Sequence, residues 1–307
     1  MISACTAVIA AMGLSAGVTS QSQATTKTLG LIIFNGQDTF SQLAEKGILA
    51  AAKTNGWTVK TVDVAGSVDG ANSAIQNFVS AKVNAIIATV VASTSLKSGL
   101  AQATKAGIPV VSQSGGLAPG IAGNVTSVND VSNAAPLLDM AKVMGGKGRV
   151  LAFTFKPGLP CLLRENTLDS VMSKYPNITV TKSELPSDGH AAYAASTTAA
   201  WLQTNASYSG NLAVWACYDD PAVAAISSIT ASGKKAFVYG YNGSADALAA
   251  IKAGTMKGTV FFDPIATGKA TFAAVLTSLK AGKKANLGTI AAPFTLITSA
   301  NVATLLP

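Results

Sequence analysis

The stretch TLGLIIFNGQDTFSQLAEKGILAAAKTNG, residues 28–56, limits the fold more than any other part of the chain. Leu29 to Phe34 is an almost unbroken apolar run, too short for a helix and suited to a strand buried on both faces. Asn35-Gly36-Gln37-Asp38 follows as a polar turn leading into a helical pattern. Thr39 and Gln42 have the spacing of a capping box, in which a hydroxyl takes a free backbone N–H and the amide reaches back. Leu43, Ala44, Gly47, Ile48 and Ala51 fall on one helical face, and Asn55-Gly56 ends the helix. Buried strand, polar turn and capped helix make one βα unit of a parallel sheet. Ligands in such sheets sit at the carboxyl ends of strands, so residues 34–40 are the first candidates for a site.

The unit recurs. Strands are expected at 57–64, 84–91, 108–112 and 121–128, with helices from Asp69 and over 94–106 between them. A second cycle starts with a helix over 131–144 and strands at 149–155, 178–184, 211–216, 235–240 and 258–262. Its other helices are expected at 164–174, 191–203, 221–231, 245–253 and 265–281, with Asp219 or Asp220 capping the one that Pro221 opens. Two copies of a five-strand α/β pattern therefore meet near residue 130, and 307 residues suit two domains. An apolar content of 49%, much of it alanine, fits helices packed closely on sheets.

The formal charge of +8 comes from lysines scattered singly or in pairs such as Lys234-Lys235 and Lys283-Lys284. No basic run is interleaved with aromatics, so nucleic acid is not an expected partner. The first βα turn lacks GxGxxG, and GxxxxGK[ST] occurs nowhere, which removes the phosphate-cradling nucleotide folds. His190 is the single histidine, GxSxG is absent, and Asp219-Asp220 share one turn where they suit capping and ligand hydroxyls. The chain is therefore read as a binding protein rather than an enzyme, with no cofactor and no metal.

Residues 1–24 combine an apolar stretch with a polar region ending Ser22-Gln23-Ala24, a small-x-small cleavage pattern. They are read as an export signal truncated at its start, since no Lys or Arg precedes the apolar stretch. Ile2-Ser3-Ala4-Cys5 also has the look of a lipoprotein cleavage box, but the apolar run continuing past Cys5 counts against a lipid anchor. No later run reaches the ~18 apolar residues of a membrane span. Cys161 and Cys217 remain after removal of Cys5, and an even count in an oxidising compartment permits a disulfide, the alternative being two buried thiols.

At the expected strand ends stand Asp38 and Phe40, Gln113 and Ser114, Arg164, Tyr218 and Asp219, Tyr241 and Asn242, and Phe262 and Asp263. Aromatic faces with a few amides, carboxylates and one guanidinium suit a small polyhydroxylated ligand, whose C–H faces stack while its hydroxyls take the polar groups.

Phe237–Asp246 (FVYGYNGSAD), Ala106–Val111 (AGIPVV) and Trp215–Ala222 (WACYDDPA) resemble, in order, segments of the type I periplasmic binding proteins, ribose-binding-like branch. The resemblance implies two lobes, each a parallel sheet flanked by helices, with three hinge crossings that let them close on a ligand. It implies a periplasmic monomer that delivers a sugar or polyol to the membrane permease of an ABC importer. The lobes would comprise 28–129 plus 263–290 and 130–262 plus 291–307, with crossings near 129–130, 262–263 and 287–291. Carried over by position, Asp38 is a polar contact, Phe40 an aromatic wall and Arg164 the arginine that holds ligand hydroxyls. Tyr218 stands where asparagine is usual, Asn242 where aspartate is usual and Phe262 at a glutamine position, while Ser114-Gly115 replace an Asp-Arg pair. These departures make the pocket less charged and more aromatic, which also opens the reading of a nucleoside, purine or other aromatic ligand. In the family arrangement Cys161 and Cys217 both lie on the cleft side of the second lobe.

Overall fold

The computed structural model describes residues 26–186, 188–282 and 285–305; the export-signal reading of residues 1–24, with Cys5, and the Lys283-Lys284 pair lie outside the described residues. The first half alternates β1 (Thr28–Ile33), α1 (Thr39–Thr54), β2 (Thr58–Asp63), α2 (Val68–Ser80), β3 (Ala85–Thr89), α3 (Lys97–Ala106), β4 (Val110–Gln113) and β5 (Ile121–Thr126). The second half continues with α4 (Asp130–Val143), β6 (Lys147–Thr154), α5 (Leu159–Met172), β7 (Asn177–Glu184), α6 (His190–Thr204) and β8 (Leu212–Ala216). It ends with α7 (Asp219–Ser232), β9 (Phe237–Tyr239), α8 (Ala245–Lys252), β10 (Gly258–Phe261) and α9 (Pro264–Ala281), then β11 (Thr289–Ala291) and β12 (Thr295–Thr298).

Two six-stranded sheets result, ordered β11-β5-β4-β3-β1-β2 and β12-β10-β9-β8-β6-β7. The first is parallel throughout, and only β12 runs antiparallel in the second. Strands buried on both faces explain the unbroken apolar runs: every residue of β3, β4 and β5 is buried, whereas edge strand β2 is largely exposed. α1 packs on α9 over one face of the first sheet, with Ile48, Trp57 and Phe272 filling the space between. α2 and α3 cover the other face through Ile75, Phe78 and Leu100. Each sheet with its helices is called a lobe below. The chain passes between the sheets at 127–129, 262–263 and 292–294.

Three local expectations are corrected. Thr39 is not the cap of α1: Asp38 is, its carboxylate accepting from the N–H groups of Phe40 and Ser41, while Gln42 donates to Gly36 O at 2.8 Å. α5 begins at Leu159, five residues before Arg164, because Pro160 occupies the first turn, where a missing N–H loses no bond. Neither Asp219 nor Asp220 caps α7, whose N-cap is Tyr218 with no side-chain bond. β11 and β12, three and four residues long, were too short to read and add a sixth strand to each sheet. Because β11 is held on β5, the chain leaves the first sheet after Ala291.

Cys161 and Cys217 are joined by a disulfide with Cα atoms 5.0 Å apart, tying the first turn of α5 to the end of β8. Their approach follows from register, since β6 and β8 are direct neighbours and both cysteines lie beyond carboxyl ends of that pair.

Candidate ligand-binding site

The carboxyl ends of the two sheets face one another, and a cavity of about 670 Å³, mouth included, lies between them. That is the crevice in which open α/β sheets bind ligands. Of the eleven residues expected at strand ends, seven line it: Asp38, Phe40, Ser114, Arg164, Tyr218, Asn242 and Phe262; Gln113, Tyr241, Asp263 and Asp219 do not. Asp219 Oδ1 accepts from the Thr259 hydroxyl and its Oδ2 from Ser244 N–H, both at 2.7 Å, so it braces the start of α8.

The walls are aromatic and come from both lobes. Phe34, straight after β1, sits 6.3 Å from Phe155, straight after β6, and Phe40 meets Phe262 edge to face at 6.5 Å. Arg164 reaches the cavity from α5, only 2% exposed. Its Nη1 donates to Cys217 O at 2.6 Å and its Nη2 to Asn242 Oδ1 at 3.3 Å. The guanidinium lies 4.5 Å from the Tyr241 ring centre and 5.6 Å from that of Phe262, so cation–π contact replaces water on its faces. Glu165 and Asp169, the nearest carboxylates in sequence, pair instead with Lys182. Burial lowers the Arg164 pKa to about 10, with Tyr241, Asp219 and Asp38 acting against it, so the group stays a cation at neutral pH. Burial likewise raises the Asp38 carboxyl, against the bonds it accepts at the start of α1 and the attraction of Arg164.

His190 also lines the cavity, although it was not among the residues expected there from sequence. It is 5% exposed, its ring 4.9 Å from that of Phe155, with Nδ1 hydrogen-bonded to the Tyr218 hydroxyl. Burial lowers its pKa, so it is neutral at physiological pH. Three buried polar atoms of the lining have no partner among the described residues: Ser127 Oγ, Arg164 Nε and His190 Nε2. An unpaired buried group costs about 1–3 kcal/mol, which a ligand oxygen can recover. Backbone strain gathers here too. Of five non-glycine residues with positive φ among the described residues, Val90, Ser114 and Asn242 are in the lining, at +67°, +60° and +103°. Among the described residues no group of three His, Cys, Asp or Glu could hold a metal, and no helix is long and apolar enough to cross a membrane. A second cavity, lined by Ile108, Pro109, Ile121, Ala122 and Leu279 with no charged side chain, opens at the opposite ends of β4 and β5.

Residues 29–284 match the model of the periplasmic binding protein domain. The chain belongs to that family. A Rhizobium meliloti protein named for rhizopine binding is 27% identical over 304 residues, spanning 95% of this chain and 96% of its own. A xylitol-binding protein of Mycolicibacterium smegmatis is 26% identical over 247 residues, covering 76% of this chain and 67% of its own. Among solved structures, an ABC transporter solute-binding protein from Agrobacterium vitis with bound allitol superposes with a TM-score of 0.83 at 22% identity, covering 91% of this chain and 98% of that one. The two-lobed type I architecture expected from sequence is thus the architecture present.

Proposed function

We propose that the protein is the exported solute-binding component of an ABC importer and clamps a small polyol or sugar between its lobes for delivery to a membrane permease. The observation carrying this reading is the cavity itself: aromatic walls from both lobes around a buried arginine with a free Nε. The aromatic faces would cover C–H surfaces of the ligand, and Arg164, Asn242, Asp38, Ser114 and His190 would meet its hydroxyls. Tyr218 would act through its hydrogen bond to His190, and Phe40 and Phe262 as facing walls. No bond-breaking step is needed, and the family is one of binding proteins. The moving units would be 28–129 plus 263–291 and 130–262 plus 292–305, turning about the three passages. Relatives named for rhizopine and xylitol, and the allitol complex, support a polyol class, and none of these three is named for a nucleoside.

A thermal-shift panel of pentitols, hexitols, inositols, pentoses and nucleosides tests the reading. A ligand near 100 times its Kd stabilises by about 2.7 kcal/mol, raising the melting temperature by roughly 5 °C for a chain of this size. A shift from at least one polyol or sugar is expected. Shifts confined to nucleosides would replace the ligand class.

A further inference from the structure

Two hydrogen bonds to Asp220 join the lobes outside the cavity lining. Thr39 is the first residue of α1, and both its N–H (3.0 Å) and its hydroxyl (3.2 Å) donate to Oδ2 of Asp220, in the first turn of α7. A helix start leaves several N–H groups without intrahelical partners. In α1, Asp38 takes those of Phe40 and Ser41 at 3.2 and 3.1 Å, and Asp220 takes that of Thr39 from across the cleft. The capping of α1 is therefore completed by the other lobe. Gln37 also donates to Asp188, and Leu159 N–H donates to Val90 O at 3.0 Å. The Thr39 and Gln37 contacts stand away from the β5/β11 and β10/β12 ends where the chain crosses.

We propose that Thr39 and Asp220 form a latch that biases the two lobes toward the shut arrangement and so raises ligand affinity without touching the ligand. The proposal rests on the clamp reading above. Parting the lobes exchanges both bonds for bonds to water and returns the Thr39 N–H to solvent. Asp220 faces Asp38 across the cleft and Asp246 in its own lobe, both of which oppose its charge, so the Thr39 donors are its compensation on closure. Loss of a hydrogen bond to a charged acceptor shifts a shut-to-open ratio by about tenfold.

The test is small-angle scattering on the ligand-free full chain, comparing wild type with Thr39→Pro, Asp220→Ala, the double variant and Asp220→Asn. Thr39→Pro removes both donors yet suits the first helical position, and Asp38 already has the extended backbone (φ −72°, ψ 122°) that precedes proline. Circular dichroism melting shows that each variant is folded. Thr39→Pro and Asp220→Ala should each increase the mean radius of gyration, and the double variant should increase it no further. Asp220→Asn, which keeps an acceptor oxygen for Thr39, should stay near wild type. Equal radii for wild type and both single variants would overturn the latch, and so would a double variant in which the two effects add. Failure of every polyol to bind would sink the ligand reading alone, since the scattering arm uses none.

Discussion

At the scale of single residues, burial governs the chemistry of the acids around the cleft. Asp219 is raised to about 7 and Asp220 to about 6, burial being the largest cause for each. An acid whose pKa is higher in the folded than in the unfolded chain binds its proton more readily when folded. Stability is then gained as pH falls through the folded pKa and lost as pH rises through it. The melting temperature should accordingly drop by several degrees between pH 5 and pH 8, and Asp219→Asn should flatten much of that slope. A wild-type melting temperature that rises over this window would contradict the assignment. Arg164, at about 10, titrates outside it. The residues that sequence placed at the site are those whose position follows from strand ends alone: Asp38 after β1, Ser114 after β4, Asn242 after β9 and Phe262 after β10. Asp219 failed because adjacency to Tyr218 does not fix direction; successive side chains at that turn diverge, and Asp219 turns toward Thr259. His190 was missed because its burial depends on Phe155 and Tyr218, far away in sequence.

At the scale of elements, the repeating βα pattern was legible because doubly buried strands have to be apolar throughout and helix ends carry their own stop residues. Gly107 at the end of α3 and Gly233 at the end of α7 both take the left-handed conformation that such stops require. The glycines inside α1 and α9 have another cause, which sequence alone does not reveal. A Cβ at Gly268 would fall on the Ala44 carbonyl, and one at Gly47 on that of Ile265, so the two helices approach backbone to backbone. The start of α5 was misplaced because Pro157, Gly158 and Pro160 are helix breakers in most positions, although a proline in the first turn is compatible with a helix. That turn carries Cys161, and its disulfide to Cys217 closes 56 residues of chain. The chain-entropy estimate for such a loop is about 4 kcal/mol, and measured values are often smaller. The double variant Cys161→Ser/Cys217→Ser should therefore lose roughly 2–4 kcal/mol in denaturant unfolding. Because Arg164 donates to Cys217 O, ligand affinity should fall with it. Unchanged stability would show that the bridge does not constrain the unfolded chain.

At the scale of the whole molecule, two similar lobes place their strand ends face to face, and three passages keep them in one chain. The sequence showed two cycles of the same pattern, and the family resemblance supplied how they oppose one another. Contacts between lobes, such as Thr39 with Asp220, were beyond its reach because each half is read separately. A small polyol or sugar held between the lobes would be enclosed by Phe34, Phe40, Phe155 and Phe262 and bonded to Arg164. A crystal structure of the protein with the polyol or sugar that most raises its melting temperature tests this directly. The ligand is expected in the cleft cavity, one of its oxygens within hydrogen-bonding distance of Arg164 Nε and its C–H face against Phe40 or Phe262. A ligand found instead in the second cavity beside Pro109 and Ile121, with the cleft empty, would contradict this expectation.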